Sequence, residues 1–274
     1  MKKISLLLFL VIPSFSFAQN GYLLSGAGAA GMANAAITRQ DVWSLFHNPA
    51  GVAFIKTTQT GISYEKRFSL KELSTNGFGI AVPVSNGALG INAAYYGYKN
   101  YNETHAGLTY SRKFSEKIGA GIKLVYHTVK IGSEYGNKSI LTADLGLQAN
   151  VARNLWLGTH IYNPIQAELV SETGEQLPSI FNIGAGYLFS DKFRIEIMGE
   201  KPSTEKALVR TGIEYHPIKQ LWLRAGIASQ PMSSSFGFGL DLSSLRMDFA
   251  ASFHPQLGFT PNIGLTYLFP EKSK

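Results

Sequence analysis

The 274-residue sequence contains no cysteine, few charged residues and no long apolar run. Without cysteine, a small fold held together by disulfides is excluded. Charged residues make up 16% and aromatic residues 12% of the chain, a balance that excludes a disordered protein. No apolar run reaches the roughly 18 residues that a transmembrane helix requires. The 28 glycines, 13 tyrosines and 17 phenylalanines instead favour strands and turns.

The chain carries a formal net charge of +7, but its basic residues do not form a patch. Lysines and arginines occur singly along the sequence, whereas a nucleic-acid-binding surface needs them clustered. We therefore expect no nucleic-acid partner.

The first 18 residues have the three parts of a secretory signal peptide. Lys2 and Lys3 give a positive start, residues 4–12 are apolar, and Ser16-Phe17-Ala18 has the small residues of a cleavage site. The apolar stretch is too short to cross about 30 Å of hydrocarbon as an anchor. The sequence therefore predicts an exported protein whose mature chain begins near Gln19.

Between residues 58 and 269, apolar residues recur at every second position. Leu141, Ala143 and Leu145, for example, alternate with Thr142 and Asp144. A period of two residues indicates β-strands, and turn residues separate fourteen such segments. The predicted strands span residues 58–66, 76–84, 87–97, 102–113, 118–130, 139–150, 154–162, 179–189, 192–199, 206–216, 219–228, 235–242, 244–253 and 262–269.

Three features favour a closed transmembrane barrel over a soluble two-sheet sandwich, which would also alternate. Short turns and longer polar stretches follow one another along the chain, as in outer-membrane barrels. The last strand alternates and ends in a phenylalanine, Phe269. Aromatic residues lie beside the short turns, where a girdle at the bilayer interface is expected. They are Tyr110, Phe114, Trp156, Tyr187, Phe189, Tyr215, Trp222, Tyr267 and Phe269.

These features predict an all-β fold, an antiparallel transmembrane barrel of about 14 strands. The barrel must close, because an open edge in lipid would leave backbone groups without hydrogen bonds. We expect a monomer in the cell outer membrane, in contact with outer-membrane lipid and lipopolysaccharide.

The segment before the first strand does not alternate. Small residues dominate residues 26–36, a short helix is expected near residues 30–37, and Asn48-Pro49 predicts a turn. Because a barrel of this size is too wide for its wall side chains to fill, we expect the segment to fold inward as a plug. The predicted divisions are a signal peptide (1–18), an N-terminal plug (19–56) and a barrel (57–274).

The N-terminal segment also carries a resemblance to a known family. Residues 26–35, then Asp41, then residues 48–53 with the sequence Asn-Pro-Ala-Gly-Val-Ala, resemble the signature of the FadL-like outer-membrane barrels. Within that superfamily the signature is most similar to the PorV/PorQ group. The resemblance implies a fourteen-stranded barrel with an N-terminal plug that contains the Asn-Pro-Ala element. FadL-type members import hydrophobic compounds, and PorV-like members are subunits of the type IX secretion apparatus.

Two sets of residues are candidates for function. The first is the plug or gate element, Asn48, Pro49, Ala50 and Gly51. The second consists of charged residues that alternate with the apolar positions and should face the lumen, because a lysine or arginine at the lipid midplane costs about 2–4 kcal/mol. These are Lys123, Asp144, Arg194, Glu196, Arg210, Glu214, Arg224, Arg246 and Asp248. Their mixed signs favour an ion-paired interior that holds the plug over a selective permeation path.

No motif for catalysis or cofactor binding stands out. The six histidines are spread over separate segments without the spacing of metal ligands. Ser111, Ser252 and His127 could serve a hydrolase only if the fold brings them together. The glycine pattern of residues 26–31 resembles a dinucleotide-binding fingerprint, but no strand precedes it. We therefore expect no enzyme, no metal and no cofactor, with an outer-membrane hydrolase as an alternative.

The sequence leaves two main hypotheses for function. The barrel binds or transports a small hydrophobic compound, with rearrangement of the plug around residues 48–51 opening the way. Alternatively, it is a non-conducting subunit or scaffold of a protein-secretion complex of the type IX kind. The external loops are short except for residues 163–178, whereas FadL-type transporters are longer chains with large external loops.

Overall fold

The computed structural model describes residues 22–132, 136–170 and 175–270. The predicted signal peptide, residues 1–18, lies outside the described residues, as do residues 19–21 of the predicted plug. Within the described ranges, no helix is long and apolar enough to cross a membrane.

The described ranges contain sixteen strands, and fourteen of them form one closed antiparallel barrel. The strands of the barrel are β1 (Gln59–Lys66), β2 (Ser74–Val84), β3 (Gly87–Tyr98), β4 (Tyr101–Ser115), β5 (Ile118–Ile131), β6 (Asn137–Ala152), β7 (Leu155–Tyr162), β10 (Ile180–Ser190), β11 (Phe193–Pro202), β12 (Leu208–Ile218), β13 (Leu221–Ser229), β14 (Met232–Leu242), β15 (Leu245–His254) and β16 (Gly258–Leu268). Two short strands, β8 (Glu168–Val170) and β9 (Glu175–Gln176), form a separate ribbon between β7 and β10.

The barrel closes where its first and last strands pair. The pairing of β1 with β16 runs from Gln59 opposite Leu268 to Glu65 opposite Asn262. Every other barrel strand pairs with the strands before and after it, so no edge of the sheet remains open. The predicted closed barrel of about 14 strands is confirmed.

Several strands extend beyond their predicted ends. The last strand was predicted to start at residue 262 but starts at Gly258, and the strand predicted at 235–242 starts at Met232. Hydropathy alternation marks only the part of a strand that has an apolar face. The backbone ladder continues beyond it, as the pairing of Ser229 with Met232 illustrates.

The connections at the two ends of the barrel differ, although less regularly than predicted. At one end, which we call the short-turn end, every connection has two residues: 85–86, 116–117, 153–154, 191–192, 219–220 and 243–244. At the opposite loop end the connections are 67–73, 99–100, 132–136, 163–179, 203–207, 230–231 and 255–257. The sequence also predicts one of the longer polar stretches near residues 229–234. This prediction is wrong, because β13 and β14 remain paired up to a two-residue turn. The first of the loops contains two 3-10 helices, Arg67–Ser69 and Lys71–Leu73.

The outer face of the barrel is apolar around its circumference. The side chains that point outward at mid-strand are large and exposed, among them Leu108, Leu124, Leu141, Ile183, Ile213, Ile227 and Phe236. An apolar surface this extensive is found on proteins that lie in lipid, since soluble monomers rarely expose one.

Seven of the nine predicted girdle aromatics point outward near the short-turn end, but the two tryptophans do not. The ring of Trp156 packs at 5.0 Å from that of Phe54 in the interior. Trp222 donates a hydrogen bond of 2.7 Å from its indole nitrogen to Asp241. Both tryptophans occupy strand positions that alternate with outward leucines and therefore face inward.

Residues 22–56, which we call the inner segment, lie inside the barrel. The segment contains α1 (Ala27–Ala30), α2 (Ser44–His47) and a 3-10 helix (Pro49–Phe54). The helix predicted near residues 30–37 does not form, because Ala33 and Asn34 adopt positive φ angles of 53° and 61° that end the helical path. The larger apolar side chains of the segment that are fully buried are Met32, Ile37, Val42, Leu45 and Val52. They supply the core that wall side chains alone cannot provide.

Candidate functional site

Asn48 joins two parts of the inner segment to the wall. Its buried side-chain nitrogen donates to the backbone oxygens of Ile37 at 2.9 Å and of Leu147 on β6 at 3.2 Å. Its side-chain oxygen accepts from the backbone nitrogen of Ala50 at 3.1 Å and so caps the 3-10 helix. Asparagine suits this position because it has both a donor and an acceptor, and proline follows well because the first helical residue needs no donor.

The turn that follows Asn48 lies in a groove of the wall that glycine leaves open. A Cβ atom at Gly146 would lie 2.1 Å from the side-chain oxygen of Asn48, and one at Gly121 would lie 2.6 Å from the carbonyl carbon of Pro49. Beside the groove, the hydroxyl of Ser111 donates to the backbone oxygen of Pro49 at 2.5 Å. The groove therefore holds the turn by shape and by hydrogen bonds.

Ala50 and Gly51 complete the turn within the inner segment. Ala50 is fully buried. A Cβ atom at Gly51 would lie 2.2 Å from the backbone oxygen of Arg39 and 2.6 Å from the hydroxyl oxygen of Ser44. The four residues predicted as a gate thus lie where the chain folds back on itself against the wall.

Polar side chains of the wall bind the backbone of the inner segment. Besides the bond from Ser111 to Pro49, wall donors lie at four backbone oxygens, and wall acceptors lie at two backbone nitrogens. The bonds are Lys123 to Leu45 at 3.0 Å, Arg210 to Ala33 at 3.1 Å, Gln148 to Ile37 and to Arg39 at 3.0 Å each, Thr38 to Glu196 at 2.6 Å and Val42 to Gln59 at 3.0 Å. These bonds satisfy backbone groups that short helices leave without partners.

Five charged residues form a buried network at the centre of the lumen. The carboxylate of Glu214 accepts from Arg39 of the inner segment at 3.0 Å and from Arg224 at 2.6 Å. Arg224 also reaches Asp248 at 2.6 Å, and Arg39 reaches Asp41 at 3.0 Å. Buried charges are costly unless they are paired, so each member of this network depends on the others.

The nine charged residues predicted to face the lumen all point to the interior and each has an oppositely charged partner. Besides the central network, the pairs are Lys123 with Asp144 at 2.6 Å, Arg194 with Glu196 at 2.8 Å, Arg210 with Glu200 at 3.2 Å and Arg246 with Asp241 at 2.5 Å. This pairing fits an interior that holds the inner segment better than it fits an open path lined with one sign of charge.

The charged residues of the interior that the sequence analysis missed include Glu103, Glu200, Asp241, Arg39 and Asp41. Glu200 and Asp241 belong to the same every-second-residue sets as Glu196 and Gly239, so alternation could have found them. Glu200 was overlooked because the predicted strand ended at residue 199. Arg39 and Asp41 lie in the inner segment, where no periodic pattern exists to indicate which way a side chain points.

The two ends of the inner segment are tied together through His47. Its ring nitrogen Nε2 lies 3.0 Å from the backbone oxygen of Ser25, to which it donates. Burial lowers the pKa of His47 to about 4, so the ring is neutral at pH 7. A neutral ring can make this bond without placing a charge in the interior.

The cavities at the barrel wall include a polar one and an apolar one. A polar cavity of about 220 Å³ separates the inner segment from the wall near the short-turn end, among Arg39, Asp41, Arg246 and Asp248. An apolar groove of about 530 Å³ lies on β1, β2, β3 and β16, and its outward-facing lining includes Ile62, Phe78, Tyr95 and Ile263. The groove offers contact to an apolar molecule at the lipid-facing surface.

The residues considered for a hydrolase do not come together. Ser111 bonds to the backbone of Pro49, and Ser252 lies 2.8 Å from Ser235. His127 instead lies beside His105 with ring nitrogens 3.0 Å apart, and Glu103 is close to both. The spacing of the histidines along the chain gave no sign of this grouping, which antiparallel pairing of β4 and β5 creates.

The fold that carries these residues was compared with the folds of known proteins. No protein-family model and no curated protein sequence matches the chain. Among solved structures, the CymD monoaromatic hydrocarbon channel is similar with a TM-score of 0.71 and 14% identity, over 94% of this chain and 100% of that chain. The toluene transporter TodX of P. putida is similar with a TM-score of 0.66 and 12% identity, over 90% and 99%. A FadL homologue of Pseudomonas aeruginosa is similar with a TM-score of 0.66 and 14% identity, over 90% and 98%. The chain therefore shares the fold of these three proteins.

Proposed function

We propose that this protein is an outer-membrane channel for small hydrophobic compounds and that residues 19–56 are its plug. The proposal rests on the shared fold: the chain aligns over 90–94% of its length with barrels described as a toluene transporter and a monoaromatic hydrocarbon channel. The alignment also covers nearly the whole of those two barrels, so almost every part of their fold has a counterpart in this chain.

The surface of the barrel supports a location in the outer membrane, with lipid and lipopolysaccharide as its surroundings. Its outward side chains are apolar, and its nine predicted lumen charges point inward. The reverse arrangement would cost about 2–4 kcal/mol for each lysine or arginine near the midplane. The barrel closes with the strands of a single chain, which supports a monomer.

Passage of a compound through the lumen requires the inner segment to move. The cavity of about 220 Å³ between segment and wall is polar, whereas the proposed cargo is apolar. Opening would therefore break the contacts of Asn48 to Gly51 with the wall and part of the central ion network. A channel of this kind conducts only when the plug rearranges.

A reversible lock on the plug tests the proposal. A Cβ atom at Gly264 on β16 would lie 3.4 Å from the Cβ atom of Ala27 on α1, close to the separation found in disulfides. Since the natural chain has no cysteine, the double variant Ala27→Cys/Gly264→Cys offers only one pairing. We expect cells that carry the oxidised variant to take up labelled toluene more slowly than cells that carry the wild type, and reduction to restore uptake.

The two single-cysteine variants are the controls, since they undergo the same oxidation without forming the bridge. Uptake that is equal in the oxidised and reduced double variant would contradict plug movement during transport. In a second assay, deletion of residues 21–47 should raise conductance in liposomes, and no change would contradict a plugging role for the segment.

We propose a non-conducting subunit of a protein-secretion complex, similar to the PorV/PorQ group, as the second candidate function. The buried ion pairs of Arg39, Glu214 and Arg224 favour it, because they fix the inner segment in a closed lumen. This function predicts a protein partner that copurifies from gently solubilised outer membranes. It also predicts that oxidation of the Ala27→Cys/Gly264→Cys variant leaves toluene uptake unchanged. A protein that always purifies alone would weigh against it.

A further inference from the structure

A group of three metal-binding side chains lies on the inner wall, apart from the gate and the central ion network. His105 on β4 is paired directly with His127 on β5, and Glu103 is two residues from His105 on the same face. One ligand atom from each of the three side chains lies within 4.8 Å of the others. The group lies toward the loop end of both strands and plays no part in the function proposed above.

The carboxylate of Glu103 is buried, and among the described residues no lysine or arginine forms an ion pair with it. Glu103 is 2% exposed and His127 is fully buried. The oxygen Oε2 of Glu103 lies 3.5 Å from the ring nitrogen Nε2 of His127. Neither atom has a hydrogen-bond partner among the described residues. Because a buried carboxylate is costly without a cation, this arrangement calls for positive charge between the two atoms.

A neighbouring pair of side chains shows how the same wall satisfies another carboxylate. Asp144 lies 3.5 Å from His160, as Glu103 does from His127, but Asp144 also has the ammonium group of Lys123 at 2.6 Å. Within the described part of the chain, Glu103 pairs with His127, and no lysine or arginine forms an ion pair with Glu103. The contrast marks the Glu103 group as the one that lacks its cation.

The donor atoms fit a zinc ion. Zinc bonds of about 2.0–2.2 Å in a tetrahedron place neighbouring ligand atoms about 3.3–3.6 Å apart, in agreement with the 3.5 Å between Glu103 and His127. Two histidines and one glutamate form a donor set that zinc uses with its fourth position open. The hydroxyl of Tyr101 donates to the other oxygen of Glu103 at 2.7 Å and so orients the carboxylate.

We propose that Glu103, His105 and His127 bind a divalent transition-metal ion of the zinc type, with a fourth coordination position open to water or a small ligand. The ion coordinates Nε2 of His127, the ring nitrogen that faces Glu103. The ring of His105 therefore turns toward the ion and gives up its hydrogen bond with Nδ1 of His127. The ion neutralises Glu103 and joins β4 to β5 inside the barrel.

Titration of the folded, detergent-solubilised protein with zinc chloride tests the proposal. We expect calorimetry to show one zinc ion bound per chain, and cobalt chloride to give the visible absorption bands of tetrahedral coordination. Glu103→Gln and His127→Gln should weaken zinc binding by at least about 10-fold, and Tyr101→Phe should weaken it by about 10-fold.

The variant His160→Gln is the matched control, since it removes a buried histidine beside a carboxylate that already has a lysine. Zinc affinity should be unchanged in this variant. A gel comparison of heated and unheated samples establishes that each variant is folded. Wild-type protein that is folded but binds no zinc would overturn the proposal, and so would equal affinity in wild type and Glu103→Gln. Absence of the cobalt bands in the wild type would overturn it without any variant.

Discussion

The contact between Gly146 and Asn48 shows how a missing side chain on the wall makes room for a polar one on the inner segment. The side-chain oxygen of Asn48 occupies the place where a Cβ atom of residue 146 would lie. Asn48 itself makes three buried hydrogen bonds in that position. The hydrogen bonds of Asn48 therefore depend on the absence of a side chain at Gly146.

We predict that Gly146→Ala destabilises the protein by about 1–3 kcal/mol, because the added methyl group must push Asn48 and Pro49 away from the wall. Gly199→Ala is the matched control, since the nearest atom to its Cβ would be 3.9 Å away. Chemical unfolding in detergent measures both free energies of unfolding. Equal effects of the two substitutions would contradict the assigned contact.

For single residues, the local conformation could be predicted from the sequence, but the distant residues that they contact could not. Asn48-Pro49 predicts a turn because proline restricts the residue before it, and a turn is observed. The wall residues that receive this turn are Ser111 on β4, Gly121 on β5 and Gly146 on β6, and they lie 62 or more positions after Pro49 in the sequence. No pattern along the chain states which glycine of a strand will face a turn of another segment.

The strands themselves carry two chemically different faces. On β5, Ile118, Ile122 and Leu124 point outward, whereas Lys123 and Val125 point inward. The free-energy cost of a charged substitution on the outward face should therefore depend on the depth of that residue in the bilayer.

We predict that Leu124→Arg, at the middle of β5, costs about 2–4 kcal/mol in a bilayer, whereas Ile118→Arg, at the end of the same face, costs about 0–1 kcal/mol. Unfolding by guanidinium in liposomes measures the two values. Equal costs at both depths would argue that this face does not lie against lipid.

The ion network links the inner segment to three different strands. Arg224 on β13 lies between Glu214 on β12 and Asp248 on β15, and Glu214 in turn holds Arg39. Loss of Arg224 leaves the three carboxylates of the network with one arginine, Arg39, and leaves Asp248 without its ion pair.

We predict that Arg224→Met destabilises the protein by about 3–5 kcal/mol, because breaking a buried pair leaves an uncompensated charge. Lys113→Met is the control. It removes an ion pair with the exposed Glu116 and should cost about 0–1 kcal/mol. Thermal unfolding in detergent compares the two, and a small effect at Arg224 would contradict the proposed role of the network.

At the element scale, periodic segments could be predicted and aperiodic ones could not. Each barrel strand shows apolar alternation, so its existence follows from the sequence even where its ends do not. The inner segment has helices of only a few residues, α1 and α2, which tertiary contacts stabilise rather than local propensity. A helix predicted near residues 30–37 was wrong for this reason.

Closure is a property of the whole molecule. Only when β16 pairs with both β15 and β1 does every strand gain two neighbours. Closure was predictable from the physics of lipid, which forbids open edges, but the pairing register of β1 with β16 was not, because it depends on residues about 200 positions apart.

We predict that a chain ending at Pro261 fails to form a stable barrel, because β1 then loses every partner that it has on β16. A chain ending at Pro270 keeps all these pairs and serves as the control. Gels of unheated outer-membrane samples should show a compact band for the control alone. A compact band for the shorter chain would contradict closure through β1 and β16.

The position of the inner segment in the chain sets an order for construction of the barrel. Its residues are made first, yet Arg39 contacts Glu214 and Trp43 contacts Thr266, 175 and 223 positions later. A finished cylinder would admit this segment only through its mouths, past loops and turns already in place. We therefore expect the sheet to close around the segment, because its partners Glu214 and Thr266 are made long after the segment itself.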